Sequence, residues 1–289
     1  MSMLNAILLA ILQGVTELFP ISSLGHAVII PDLLNWPVDL RSPTFLPFLV
    51  VMHFGTAVAL LAYFWRDWRD FGLAVVFNKG PRAAQERRLF FRVVVATIPA
   101  VIIGAVLNKA IRDLFADPVW ACGFLIVNGV MLFGAERLKR SETRKSLDEL
   151  TWGEALIIGF WQCLAFLPGI SRSGSTMVGG FLSGLNHEDS ARFSFLTGTP
   201  IIVAATVLEA PKLLKHATPA PPIAGAAAAI PPIDMTTAII AGIVAGITAF
   251  ASLWALMHWL KQHEFRGFDP FAYYCMAFGA LFLGLEILT

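Results

Sequence analysis

Six long stretches of this chain carry almost no formal charge, and each is close to the length that crosses a membrane. A transmembrane helix needs about 20 mostly apolar residues. The chain of 289 residues is 57% hydrophobic and 14% charged, against about 45–50% and about 25% in soluble globular proteins. We therefore predict an all-α polytopic membrane protein, a single integral membrane domain, with full spans at residues 43–65, 93–108, 118–135, 193–208, 235–260 and 270–289.

Two further apolar segments, residues 4–34 and 155–185, are interrupted in the middle by Pro, Gly and Ser. Each half is too short to cross a bilayer alone, so we predict two re-entrant helix–loop–helix hairpins. Irregular backbone at membrane depth is tolerated only where protein or a water-filled cavity surrounds it. The two breaks are therefore the places where a buried site is expected.

The distribution of Lys and Arg predicts the orientation of the chain. Most of these residues fall in the loops after the first, third and fifth full spans. The positive-inside rule then puts these loops in the cytoplasm and both termini outside it. Residues 4–12 follow no Lys or Arg and precede no small-residue cleavage pattern, so we expect them to belong to the mature protein. The Ala/Pro-rich residues 217–233 are predicted to be an irregular outer loop.

The two broken hairpins align when the sequence is shifted by 149 residues. Identical residues then coincide at several positions, namely Ala6 and Ala155, Gln13 and Gln162, Leu18 and Leu167, Ile21 and Ile170, Ser22 and Ser171, and Gly25 and Gly174. Each half is one hairpin plus three spans, so the second half enters from the opposite side. We predict an inverted-topology repeat, 1–140 and 150–289, with a site near the membrane midplane; chance similarity of two apolar Gly/Pro/Ser segments is the alternative.

The first break, QGVTELFPISSLGH, carries an intramembrane carboxylate. Gln13 and Glu17 are four residues apart and share one helix face. Burying a carboxylate in a membrane is costly, so a partner is expected: a divalent cation, Mg²⁺ or Ca²⁺, held by Glu17 with help from Gln13, or a basic residue. Ser22, Ser23 and His26 follow, and Ser23 and His26 bring a hydroxyl and an imidazole for nucleophilic or acid–base chemistry.

The second break, PGISRSGST, has the composition of an anion-binding loop. Its Ser and Gly residues allow backbone N–H groups to converge next to a helix N-terminus. Arg172 adds a planar, permanently charged group suited to phosphate oxygens. The predicted phosphate-binding residues are Ser22, Ser171, Arg172, Ser173, Gly174 and Thr176. The alternative is a structural ion pair between Arg172 and Glu17, which would open when a phosphate binds.

Both motifs, together with HFGTAVAL and ARFSFL, resemble the undecaprenyl-diphosphatase family, also called the bacitracin-resistance (BacA/UppP) family, over nearly the whole chain. The resemblance implies a phosphatase of the bacterial inner membrane. It would remove the terminal phosphate of undecaprenyl diphosphate on the periplasmic side, recycle the carrier lipid for peptidoglycan synthesis, and confer bacitracin resistance. It also implies catalytic roles for Glu17, Ser23, His26 and Arg172. Gln13 and Leu24 depart from the family pattern, where many members have Glu and Thr.

Several alternatives stay open at this level. Ser23 or His26 attacks the phosphorus, or His26 activates a water. A polyprenyl-phosphate transporter or flippase is the main competing function, and a nonenzymatic membrane scaffold is a weaker one. The expected partners are a polyprenyl diphosphate and membrane lipid; the net charge of +1 and the lack of a basic domain argue against nucleic acid. The oligomeric state is open, with a homodimer among the alternatives.

Three further groups of residues allow weaker predictions. His53 and Gln162 are expected either to support the site or to make structural hydrogen bonds. His187, Glu188 and Asp189 are expected to cap a helix. The three cysteines lie singly in apolar stretches, so we predict no disulfide.

Overall fold

The computed structural model describes residues 2–36, 45–114, 117–138, 145–216, 235–263 and 265–288, without side chains at 46, 107–114 and 209–216. Apart from one isolated bridge pair, Lys145 with Leu185, the regular structure in these ranges is helical. The helices are α1 Met3–Thr16, α2 Ser23–Leu33, α3 Phe45–Tyr63, α4 Trp65–Val76, α5 Ala83–Leu114, α6 Pro118–Leu138, α7 Trp152–Cys163, α8 Arg172–Leu182, α9 His187–His216, α10 Met235–Gln262 and α11 Asp269–Leu288. Short 3₁₀ turns lie at Leu147–Glu149 and Leu164–Phe166.

Five of the described helices are long and apolar enough to cross a membrane: α6, α10, α11, the Ala83–Val106 part of α5 and the His187–Leu208 part of α9. A sixth candidate is α3, which reaches this standard only together with α4, and the two are bent by 73° at Phe64. The all-helical polytopic class is therefore confirmed. The count of six spans with two re-entrant hairpins stays a prediction.

Two spans begin earlier than predicted. Helix α5 starts at Ala83 rather than at residue 93, and α9 starts at His187 rather than at residue 193. Charged and polar residues extend both helices beyond their apolar parts. The predicted starts are late because hydropathy locates the membrane-embedded part of a helix and not its capped end. The predicted outer loop at residues 217–233 lies outside the described residues.

The broken segments form two pairs of short helices, α1 with α2 and α7 with α8. The longest, α1, has 14 residues, which span about 21 Å, short of the roughly 30 Å hydrocarbon core. Both second helices begin in the same way: Ser22 Oγ accepts from Gly25 N–H and Ser171 Oγ accepts from Gly174 N–H. The bounds of α2 and α8 are also offset by 149 residues at both ends. This recurrence supports the predicted repeat, which stays a prediction.

The long helices hold these short ones in place. Helix α1 packs against α10, α7 packs against α5, and α2 and α8 both pack against α6. The crossings use small residues; a Cβ on Gly14 would lie 2.6 Å from the Ala245 carbonyl oxygen. Close approach of this kind is how membrane helices associate without a hydrophobic driving force between them. The two breaks meet each other in the interior, where a Cβ on Gly25 would lie 3.1 Å from Gly169 Cα.

Candidate active site

The two breaks line one cavity inside the bundle, together with residues of α3 and α9. Its volume is about 260 Å³. The polar wall is small and comes from both motifs, whereas the rest of the cavity is apolar. The lining residues are Glu17, Ser22, Ser23, Leu24, Leu49, Val50, His53, Ala165, Phe166, Ile170, Ser171, Arg172, Ile201, Ile202 and Ala205.

Glu17 lies at the centre of the polar wall. It ends α1, its own N–H donates to the Gln13 carbonyl, and its side chain is 7% exposed. Gln13 Nε2 donates to its Oε2 at 3.2 Å and Ser23 Oγ donates to the same oxygen at 2.5 Å. Arg172 Nη2 lies 3.2 Å from its Oε1. The cost of a buried carboxylate is thus offset by donors from both breaks.

Arg172 is the first residue of α8 and its guanidinium joins the two halves of the site. Besides its contact with Glu17, Nη1 donates to the Ser194 carbonyl at 3.3 Å. A Cβ on Gly198 would lie 1.9 Å from Nη1, so α9 can pass behind the guanidinium only because this residue has no side chain. The predicted ion pair between Arg172 and Glu17 is present.

Two helix N-termini open into the cavity. Ser23 begins α2 and Arg172 begins α8, and both line the cavity with their capping serines, Ser22 and Ser171. The N-terminus of a helix carries a partial positive charge and backbone donors. The polar wall therefore favours an anion.

Ser22 has an unusual backbone conformation for a non-glycine residue, with φ 68° and ψ 95°. Strained conformations of this kind persist only where surrounding contacts hold them. Here the Ser22 carbonyl lies 2.7 Å from His26 Nδ1. A carbonyl only accepts, so His26 Nδ1 carries the proton and donates.

His26 is fully buried and does not face the cavity. Its other nitrogen, Nε2, lies 2.8 Å from the Tyr274 hydroxyl on α11. With Nδ1 donating, neutral His26 accepts from Tyr274. Neither ring nitrogen therefore contacts Ser23 or Glu17. Instead, His26 stabilises the backbone at the start of α2 through Ser22 and links it to α11 through Tyr274.

His53, by contrast, reaches the cavity from α3. Its Nε2 lies 3.2 Å from Glu17 Oε2, and its Nδ1 lies 2.7 Å from the Leu49 carbonyl. Of the two expectations for this residue, the structure favours support of the site. Gln162, its companion in that prediction, is buried with both amide atoms unpartnered and lies outside the cavity lining.

The residues 6–281 of the chain match the family model described as bacitracin resistance protein BacA. The chain belongs to this family. Among its curated relatives, the undecaprenyl-diphosphatase of Acidiphilium cryptum (strain JF-5) is 50% identical, with 98% of each chain covered. That of Granulibacter bethesdensis is 47% identical, covering 96% of this chain and 95% of the relative, and that of Gluconobacter oxydans is 44% identical over the full length of both.

Several predicted site residues of this BacA family chain lie outside the cavity lining. Ser173 Oγ donates to the Glu17 carbonyl at 3.1 Å, and Thr176 Oγ1 donates to the Arg172 carbonyl at 2.7 Å. The Gly174 N–H is used by the Ser171 cap. These contacts give the three residues structural roles: Ser173 joins the second break to the first, whereas Thr176 and Gly174 make hydrogen bonds within the start of α8.

Asn128 was missed from the sequence although it is a polar residue in an apolar span. It is fully buried on α6. Its Nδ2 donates to the Pro20 carbonyl at 2.9 Å and its Oδ1 accepts from Ser171 N–H at 3.0 Å. One amide therefore fixes the first break against the second. The rarity of Asn at membrane depth was the signal that could have identified it.

His187 also differs from its prediction. Glu188 and Asp189 lie in the first turn of α9, where acidic residues complement the helix dipole. His187 instead is buried, with Nε2 2.7 Å from Glu136 Oε1. All three cysteines are free thiols, as predicted.

The donors around Glu17 decide what kind of cation could bind. The described residues contain no cluster of three or more His, Cys, Asp and Glu suited to a metal. Beside Glu17, however, Gln13 Oε1 is buried without a hydrogen-bond partner. Mg²⁺ commonly uses one or two carboxylates and takes further oxygens from phosphates and water. This donor set fits a cation shared with a phosphate substrate and not an all-protein cage.

Proposed function

We propose that this chain hydrolyses undecaprenyl diphosphate to undecaprenyl phosphate and inorganic phosphate, and so recycles the carrier lipid of peptidoglycan synthesis and confers bacitracin resistance. Full-length relatives named undecaprenyl-diphosphatase support the activity. The observation that carries the mechanism is the juxtaposition of Ser23, Glu17 and Arg172 in a cavity where two helix N-termini converge.

Binding of the diphosphate is mainly an electrostatic task in this site. Arg172 and the N-termini of α2 and α8 supply positive charge and donors, as phosphoryl transfer requires. When phosphate oxygens enter, the guanidinium exchanges part of its contact with Glu17 for contact with the substrate. This releases the carboxylate for proton transfer.

Ser23 is the nucleophile that the geometry favours, because its hydroxyl already donates to Glu17. In the first step, a bond forms from Ser23 Oγ to the terminal phosphorus and the bond from that phosphorus to the bridging oxygen breaks. Undecaprenyl phosphate leaves, and the serine proton passes to Glu17. In the second step, a bond forms from a water oxygen to the phosphorus and the bond from that phosphorus to Ser23 Oγ breaks. Ser23 Oγ recovers its proton from Glu17, and phosphate leaves with both protons of the water.

A divalent cation, Mg²⁺ or Ca²⁺, would be held by Glu17 and Gln13 Oε1 together with the substrate. When bound, it supplies charge neutralisation on the diphosphate oxygens. Gln13 would then have two roles in this chain: its amide nitrogen donates to Glu17, and its unpartnered oxygen would be a ligand for the cation.

The bacterial inner membrane, with the cavity open to the periplasm, is the location that we propose. The distribution of Lys and Arg supports this orientation.

Lipid transport is the second candidate function, and the recurrence of helix bounds at 149 residues is the observation in its favour. Ser23→Ala separates the two functions: a carrier retains lipid movement in vesicles, whereas the phosphatase loses turnover.

The primary test measures phosphate release from undecaprenyl diphosphate by detergent-purified protein, with Mg²⁺, Ca²⁺ or EDTA. We expect cation-dependent release by the wild type, abolished in Glu17→Ala and Arg172→Ala. Arg87→Ala, in an exposed arginine that contacts Asn78, is the control that should keep full activity. No release by a monodisperse wild type with any cation would reject the phosphatase assignment.

A further inference from the structure

Two apolar furrows open on the outer surface of the helix bundle. The α5–α9 furrow, about 390 Å³, is lined by Trp68, Phe90, Val93, Val94, Thr97, Ile98, Val101, Ile102 and Pro200. The α3–α10 furrow, about 540 Å³, is lined by Val51, Phe54, Gly55, Val58, Ala59, Ala62, Ile239, Gly242, Ile243, Gly246, Ile247 and Phe250. Neither lining contains a charged side chain, and the Thr97 hydroxyl donates to its own helix, at Val93 O.

The two furrows differ in what separates them from the polar cavity. The α5–α9 furrow meets the cavity at α9, where Pro200 lines the furrow and the next residue, Ile201, lines the cavity. The ring of Phe166, which lines the cavity, reaches α5 at Gly104, one turn beyond the furrow residue Val101. A Cβ on Gly104 would lie 3.0 Å from the ring, and the three nearest atoms outside the backbone of α5 all belong to this ring.

The boundary on the other side is formed by backbone. A Cβ on Gly55 would lie 1.9 Å from the Gly242 carbonyl oxygen and 3.2 Å from Gly246 N. Helices α3 and α10 therefore touch main chain to main chain, and no rotation of a side chain opens a passage between them. The α3–α10 furrow also adjoins the cavity, at Val51 and Val50, but its contact at Gly55 is main chain, whereas the α5–α9 boundary includes an aromatic ring that can rotate.

We infer that the α5–α9 furrow binds the isoprenoid chain of the diphosphate lipid, which leaves the polar cavity at Phe166 and passes Gly104. This inference rests on the proposed function, because the diphosphate head must lie in the cavity. Phe166 is the movable partition, and Gly104 leaves room for the ring and the chain.

The furrow recognises the isoprenoid chain by its shape and not by its hydrophobicity. From Phe90 to Ile102 the lining of α5 covers about 18 Å of helix, enough to direct the first part of a long chain. Lipid tails are as apolar as this lining, so burial alone gives little net free energy in a membrane. An ordered chain instead aligns the diphosphate with Ser23, as remote parts of a substrate do in other enzymes.

The test fills each furrow with a tryptophan and compares two chain lengths. Val101→Trp fills the α5–α9 furrow and Ile243→Trp fills the α3–α10 furrow; both residues are outward-facing, 53% and 59% exposed. The substrates are undecaprenyl diphosphate and geranyl diphosphate, whose chain is too short to extend along the furrow. We expect Val101→Trp to lower kcat/KM for the long substrate about tenfold and for the short one less than about twofold, and Ile243→Trp to change neither.

Gly104→Val provides the second variant, since its branched side chain wedges the Phe166 ring, and should show the same chain-length selectivity. Size-exclusion profiles in detergent establish that each variant is folded. Equal losses on both substrates, or equal effects of the two tryptophans, would overturn the inference. Absence of release from undecaprenyl diphosphate by the wild type would instead overturn the proposed function.

Discussion

Two contacts of one side chain define the role of Arg172. Its Nη2 meets Glu17 and its Nη1 meets the Ser194 carbonyl, a geometry that a planar guanidinium can satisfy and an ammonium cannot. Arg172→Lys keeps the charge but loses this fork. We expect its kcat/KM to fall about 10²-fold, and that of Arg172→Ala to fall further, as for loss of a transition-state donor. Initial rates of phosphate release measure both; equal activity of the Lys variant and the wild type would show that charge alone suffices.

His53 tests whether the Glu17 carboxylate must be held from the α3 side. Gln at this position can still donate an amide N–H to Glu17, whereas Leu cannot. We therefore expect His53→Leu to lower kcat about tenfold or more and His53→Gln to restore part of it, with KM little changed, because the contact is to the carboxylate. His258→Gln, at an exposed histidine on α10, is the matched control. Identical kinetics of the Leu and Gln variants would leave His53 with a packing role only.

At the scale of elements, α9 packs directly behind the Arg172 guanidinium because Gly198 has no side chain. Gly198→Ala puts a methyl group where the guanidinium lies, so the guanidinium must shift from the position in which it contacts Glu17. We expect phosphate release to fall at least about tenfold while the detergent-solubilised protein stays folded. Gly134→Ala on α6 is the control, because nothing lies within 4 Å of its Cβ position. A Gly198→Ala variant with wild-type kcat would mean that the arginine does not act from this position.

The elements that the sequence predicts best are those with a local signal. Pro20 and Gly169 mark the two breaks, Ser22 and Ser171 cap the helices that follow, and all four lie where such residues are expected. Of the four predicted catalytic residues, Glu17, Ser23 and Arg172 are brought together because both breaks enter the same interior, whereas His26 lies outside the cavity lining. Contacts made by single residues of distant helices carry no local pattern. The pairing of His26 with Tyr274 and the space behind Arg172 at Gly198 depend on how α11 and α9 pack, which hydropathy does not specify.

At the scale of the whole molecule, charged residues separate to the two ends of the bundle. One end carries ion pairs between helix termini and loops, including Arg192 with Asp67, Lys145 with Glu154 and Arg137 with Asp269. At the other end Glu286 faces Asp32 and Asp117. We call the end that holds these three described carboxylates the acidic end; the first hairpin returns there, and the loops rich in Lys and Arg belong to the opposite end. The loops that the positive-inside rule puts on one side of the membrane therefore lie at one end of the bundle in the structure.

This separation predicts the accessibility of two engineered cysteines. Native Cys122 and Cys275 are fully buried, so a Cys163→Ala background leaves little labelling of its own. In that background, we expect Asp32→Cys to react with a membrane-impermeant maleimide in intact spheroplasts, because Asp32 is exposed at the acidic end. Lys79→Cys, exposed between α4 and α5, should react only after permeabilisation. The reverse pattern would show the opposite orientation in the membrane, with the Ser23 cavity open to the cytoplasm. Labelling of both sites in intact spheroplasts would mean that α3 does not cross the bilayer.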